Sequence, residues 1–259
     1  MDRVVETLWA IKKSPDDYLP ERSIWALWHF LTGYKVRCCM EGAESEINPL
    51  IRRFQAFLDD HFSIQAGSRS VFLVVDSFSK GPEDALWNFY RLFEQFLTAK
   101  AGYPTSSEFR KFEIPKEDLF ALLRKIRERP ELYVGYPHFL GVHAHIAGHL
   151  RAGADLGVDK THDEVLFEDF KGWIEREKLS DGSPRPWFKL IEFRNFHDCG
   201  GTSPRSRYSD FFQLLDEFAA KSGNPDLFSA EGQKLDLEHT PNLDLGESPL
   251  NPPTQTLTD

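Results

Sequence analysis

Four histidines, His138, His143, His145 and His149, fall within twelve residues. On a helix His145 and His149 are at i and i+4, a spacing that lets two imidazoles reach one metal ion. With Tyr133 just upstream, this is where residue types alone would place a small-ligand or metal-dependent site. A comparison within the chain points elsewhere. At an offset of 115 residues the counterparts of the four histidines are Ser23, Trp28, Phe30 and Tyr34. Three of those are aromatic, so the positions suit rings that pack. The expectation is structural, semi-buried imidazoles, still able to titrate near neutrality, with no metal and no cofactor. A pocket near Tyr133, His143, His145 and His149 stands as the alternative.

Other candidate groups are weaker. Cys199 stands beside His197 and Asp198 in HDCGGTSPRSR, but side chains adjacent in a chain rarely face each other as nucleophile and base, and the stretch reads as a surface loop. Gly200 and Gly201 with Arg205 and Arg207 offer backbone donors and guanidinium groups to an anion. No G-x-G-x-x-G or G-x4-G-K-[ST] phosphate loop occurs. The string RPELYVG resembles RPGMYIG in the ATPase domain of type II topoisomerases such as gyrase B. The Asp-Asn magnesium and base motif and the Gly-rich lid that such a domain needs do not follow it here. The string reads as helix stop, aromatic anchor and turn.

The elements that carry these residues come in two copies. Ile11 to Tyr34 and Ile126 to His149 both read I-x3-P-x2-Y-x14-G-[YH], which aligns Pro15, Tyr18 and Gly33 with Pro130, Tyr133 and Gly148. Further on, FYRLFEQF at Phe89 to Phe96 faces FFQLLDEF at Phe211 to Phe218. In the first copy the spacing predicts helices over Leu8–Lys13, from an N-cap at Ser23 to about Cys39, over Glu46–Phe62 and over Glu83–Ala99. In the second it predicts helices over Glu117–Glu128, Phe139–Ala154, from about Asp163 to Lys178 with Thr161 as cap, and over Tyr208–Lys221. VFLVV at 71–75 and its counterpart at 187–193 are apolar runs that periodicity cannot divide between buried helix and buried strand. Asn195 to Arg207 reads as an insertion. The expected fold is mainly α, two related helical units in tandem, with an α+β alternative carrying one short strand pair at 71–75 and 187–193. The expected division is a first unit at 1–101, a linker at 102–115, a second unit at 116–222 and an acidic, disordered tail at 223–259.

Composition bounds the function class. The chain has 259 residues, 41% of them hydrophobic, with 22 Phe and 6 Trp, which is the make-up of a folded protein with large aromatic cores. Its net charge is −10, of which the tail carries −6. The mildly acidic body lacks the basic footprint that nucleic acid requires. The start of the chain lacks a cationic-plus-apolar leader and no apolar run reaches membrane-span length, so the expectation is a cytoplasmic protein with reduced cysteines at 38, 39 and 199 and no membrane partner.

The run of Ile126, then R-P-x2-Y-V-G, a helix ending near Gly148, a Phe/Trp helix, PWFKLI at 186–191 and FFQLLDEF resembles a group of bacterial cytosolic proteins of unassigned function. They share an I-x-x-R-P-x-x-Y-[VL]-G motif, and some lie in toxin and immunity neighbourhoods. The resemblance spans Leu119 to Phe218 and, more loosely, Leu8 to Leu97, where Ser14 replaces the motif's arginine. It implies a non-catalytic protein-binding module, an immunity protein that occludes a toxin. The alternative is a small-ligand or metal-dependent enzyme at the histidine cluster. Between enzyme and non-enzyme the residues lean to the second.

Overall fold

Proline sets the first boundary in each half of the chain. The computed structural model describes residues 3–43, 47–64, 70–99, 118–135, 138–178, 185–198 and 204–223. Helix α1 (Arg3–Lys13) stops at Ser14, whose backbone, at φ −141° and ψ 69°, is driven out of the helical region by Pro15. A single 3-10 turn, Pro15–Asp17, follows. In the second half, α6 (Leu119–Glu128) stops at Arg129, at φ −138° and ψ 65°, before Pro130 opens the short α7 (Pro130–Tyr133). The two stops share one conformation, and the next buried residue, Leu19 or Val134, donates its amide to the carbonyl of Pro15 or Pro130.

Two long helices follow these turns, α2 (Ile24–Met40) and α8 (Phe139–Leu156). Both bury side chains around most of their circumference, the pattern of a central helix. The Ser23 hydroxyl caps α2, accepting from the amides of Trp25 and Ala26, and the His138 ring caps α8, accepting from Gly141. Both end on a glycine in the left-handed region, Gly42 at φ 67° and Gly157 at φ 69°. There the amide of Ala43 returns to Cys38 O and that of Val158 to Gly153 O, which satisfies carbonyls at the helix end.

The two helices cross in direct backbone contact. A Cβ on Gly33 would stand 1.9 Å from the carbonyl oxygen of His145, and one on Gly148 would stand 1.9 Å from that of Phe30. Phe30 and His145 are themselves 115 residues apart, as the glycines are, so each helix offers the other the same surface. Such reciprocity is the geometry of a two-fold interface.

The remaining helices wrap this pair in two aromatic cores. The first series comprises α3 (Ile47–His61), α4 (Val71–Ser77) and α5 (Pro82–Thr98). The second comprises α9 (His162–Trp173), continued by a π turn over Ile174–Lys178, α10 (Trp187–Asp198) and α11 (Pro204–Lys221). Phe54 meets Phe89 edge-on at 5.3 Å and lies 5.5 Å from Phe96. Phe170 meets Phe211 edge-on at 6.1 Å and lies 5.6 Å from Phe218. The cores touch through α2 and α8: Ala144 and Ala152 belong to the first, and Val36 packs on the second.

Two expectations are corrected. The runs at 71–75 and 187–193 are helical, so the α+β alternative falls, and among the described residues there is no strand. Ser70 caps α4, and Val71, Phe72, Val74 and Val75 are buried on one broad arc of the short helix, while Leu73 on the other side is only half-buried. The span 195–207 is only in part an insertion, because α10 runs to Asp198 and α11 starts at Pro204, where a proline fits the first turn. The expected linker at 102–115 and the tail beyond Gly223 lie outside the described residues. Among the described residues no helix is long and apolar enough to cross a membrane.

Candidate functional site

Side chains on α8 two residues apart point about 200° away from each other around the helix axis. That spacing separates His143 from His145, and six residues put His149 about 120° round the axis from His143; of the three histidines and Tyr133, only His143 lines the groove between the Pro15–Asp17 turn and α8–α10. His145 and His149 face inward. His145 is fully buried under the ring of Tyr133, which meets it edge-on at 6.4 Å, just as Tyr18 meets Phe30 at 6.3 Å. Tyr133 thus anchors its turn to the central helix, and Pro15, Tyr18, Gly33, Pro130 and Gly148 all occupy stop, anchor or crossing positions. Neither nitrogen of His145 has a partner among the described residues.

His149 belongs to a buried ionic cluster. Arg37 of α2, 1% exposed, donates from Nη1 to Oε1 of Glu164, 3% exposed, at 2.7 Å. The same Nη1 lies 3.3 Å from His149 Nε2. Arg37 Nε lies 3.2 Å from Glu41 Oε1, within ion-pair range but off the line of its N–H bond. Gly153 leaves room for the guanidinium, since a Cβ there would come within 3.4 Å of Nη2. The other oxygen of Glu164 accepts from the amide of Thr161 at 2.9 Å, and Thr161 Oγ1 accepts from the amide of Glu164 at 3.3 Å, which closes a capping box on α9.

Burial and the neighbouring Arg37 charge push His149 down to about 3, so its ring is neutral. Nε2 facing an arginine donor must accept, which assigns the proton to Nδ1. Burial alone pushes His145 down to about 4, and burial with the nearby His145 and His138 pushes His29 down to about 3. The expectation of imidazoles titrating near neutrality is therefore not met, because these rings lie deeper than the sequence indicated. Among the described residues no three His, Cys, Asp or Glu converge as metal ligands.

A second cluster ties α1 and α2 to α8. Tyr34, at the position equivalent to His149, donates from its hydroxyl to Asp155 Oδ2 at 3.0 Å, and Thr7 donates to the same oxygen at 2.8 Å. Burial and the Asp155 carboxylate hold the Tyr34 phenol well above its ordinary range. Arg151 pairs with Asp155 at 2.8 Å and lies 5.5 Å over the ring of Tyr18.

His143 faces the other way, into a groove of about 200 Å³ between the two halves of the chain. The Pro15–Asp17 turn supplies one wall with Asp16, Asp17 and Tyr18, and α8, α9 and α10 supply the other with His143, Lys171, Trp187 and Phe188. The His143 ring rests 5.1 Å from Trp187 and 4.2 Å from Phe188. Burial, then the charges of Lys171 and Lys189, push it down to about 3. His143 was among the candidates; the opposing Asp16 and Asp17 were not, since a wall from the other end of the chain leaves no local signal. Arg37 and Glu164 were likewise missed. The signals available were a lone arginine in α2, which is largely apolar apart from His29, Thr32 and Lys35, and the T-x-x-E pattern at 161–164.

Cys199 and the Gly200–Gly201 pair lie outside the described residues. No protein-family model matches the chain, and no match is found among curated proteins or solved structures, so the reading of these sites rests on their own geometry.

Proposed function

We propose that this protein is a non-catalytic, cytoplasmic protein-binding module made of two related helical units, joined face to face through α2 and α8. The tandem reading draws support from the shared 115-residue offset of the proline stops, the terminal glycines and the crossing glycines, and from the matched ring geometry of the two cores.

The observation that carries the binding reading is the groove. At about 200 Å³ it is smaller than the roughly 300–1,000 Å³ of ordinary small-molecule sites. It is walled by Tyr, Trp and Phe with charged residues at its edge, the composition of an interface centre that takes one protruding side chain. The resemblance to proteins from toxin and immunity neighbourhoods makes a bacterial toxin the first partner to try. The test is co-expression with toxins encoded beside this gene, followed by purification of the complex. The expected result is a stoichiometric complex and lost toxicity. A toxin that stays fully active with this protein in excess excludes that pairing.

A further inference from the structure

We infer that the contact between α2 and α8 is selective: each half of the chain recognises the other half and rejects its own kind. The surface therefore fits only a complementary half, from the same chain or from a second copy; this rests on the reading of two related units above.

The centre of the contact cannot make that distinction. Gly33 lies against the carbonyl of His145 as Gly148 lies against that of Phe30, so the backbone crossing would accept two copies of α2, or two of α8, as readily as one of each. Selection must come from the side chains flanking the glycines. These differ between the halves.

Arg37 sends a buried guanidinium from α2 into the second half, where Glu164 accepts from it at 2.7 Å, His149 Nε2 lies at 3.3 Å and Gly153 leaves it room. If a second α2 took the place of α8, the 115-residue correspondence would set Tyr34 where His149 stands and Cys38 where Gly153 stands. The place of Glu164 would fall to Pro49, or to Asn48 in the register that pairs Phe54 with Phe170. Each guanidinium would keep only Glu41 of its own helix and meet no carboxylate across the contact.

The opposite pairing fails with the sign reversed. With α8 on α8, Ala152 replaces Arg37, and Glu164, 3% exposed, loses its cation. Asp155 now accepts from Thr7 at 2.8 Å and from Tyr34 at 3.0 Å; Leu122 and His149 would take those places. A wrong partner is rejected when it strands a buried charge that the right one satisfies. Only the unlike pair satisfies both charges.

The experiment starts from the full chain with a protease site placed within 102–115, cut after folding so that the two halves are equimolar. The cut protein is unfolded in urea, refolded by dilution and weighed by native mass spectrometry, which separates unlike from like pairs. The same comparison is made without urea, by letting cut proteins of ordinary and heavy-isotope mass exchange halves. Unlike pairs are expected to exceed like pairs by about a hundredfold, the lower end of what breaking a buried ion pair implies. With Arg37→Met and Glu164→Gln together, like pairs are expected to rise about tenfold or more. Like pairs at the random proportion in the unsubstituted protein, or a proportion that the double substitution leaves unchanged, would overturn the inference. The two readings fail separately. Like pairs that form freely leave the two related units standing and remove the selectivity, whereas cut halves that fall apart under both conditions remove the two units and the selectivity with them.

Discussion

Arg37 and Glu164 carry opposite charges with almost no water around them; Arg37 is the cation paired with Glu164, while Arg37 also has Glu41 within ion-pair range. Removing one partner of a buried pair typically costs about 3–5 kcal/mol, whereas removing both charges together is often close to neutral. Glu164→Ala is therefore expected to lower unfolding free energy by about 3 kcal/mol or more, and Arg37→Met with Glu164→Gln to recover most of that loss in urea denaturation. A cost below about 1 kcal/mol for Glu164→Ala would mean that Glu41 alone is enough to hold the Arg37 charge.

The buried histidines set an acid limit. His29, His145 and His149 have folded-state pKa values of about 3, 4 and 3, below the ordinary imidazole value of 6.5. The unfolded chain therefore binds more protons in this range, and the stability these rings contribute is fully present above pH 6.5 and lost as pH falls toward 3–4. Each ring contributes a slope approaching about 1.4 kcal/mol per pH unit. Denaturation midpoints measured from pH 7 to pH 4.5 are expected to fall steeply, and the three His→Gln or His→Phe variants to flatten the curve. At this scale the burial of the rings at 145 and 149 was legible through Phe30 and Tyr34 at the matching offset. Their depth, and hence their protonation, was not legible, because it depends on α2 closing over α8.

At the scale of elements, the crossing of α2 and α8 is the tightest constraint. Gly33→Ala and Gly148→Ala each place a methyl group 1.9 Å from a carbonyl oxygen on the facing helix. Neither backbone can yield without moving a whole helix. Overpacking of this kind costs about 3 kcal/mol at the upper end of its usual range, and the two substitutions are expected to cost similar amounts because their surroundings correspond. A loss under about 0.5 kcal/mol at either position in thermal or urea unfolding would show that the helices part more easily than the packing implies. The proline stops, the Ser23 and Thr161 caps and the long amphipathic helices could be read from residue spacing because each is a local preference. VFLVV could not, since a short apolar run is common to a largely buried helix and a buried strand, and only the helices packed around Val71–Ser77 decide between them.

At the scale of the molecule, the two cores meet through the central pair, with Ala144 and Ala152 in the first core and Val36 against the second. Neither half can open at this surface without exposing part of the other, so unfolding is expected to be a single transition. Far-UV circular dichroism and the fluorescence of tryptophans in both halves should give coincident curves; two separated transitions would mean independent domains. The recurrence of proline, tyrosine and glycine at an offset of 115 residues was legible because spacing is a property of the chain alone. The groove was not, because its walls come from residues 16–19 and 143–188, far apart in the chain.

The double duty of Glu164 has a consequence for the order in which the chain assembles. Its carboxylate closes the first turn of α9 with one oxygen and holds Arg37 with the other, so the start of that helix cannot settle fully until α2 has docked. The amide protons of Thr161 and Glu164 are thereby reporters on a segment more than a hundred residues upstream. In native-state hydrogen exchange, Arg37→Met is expected to release these two amides early while the interior of α9 stays protected. Unchanged exchange at both would mean that the cap forms without regard to α2.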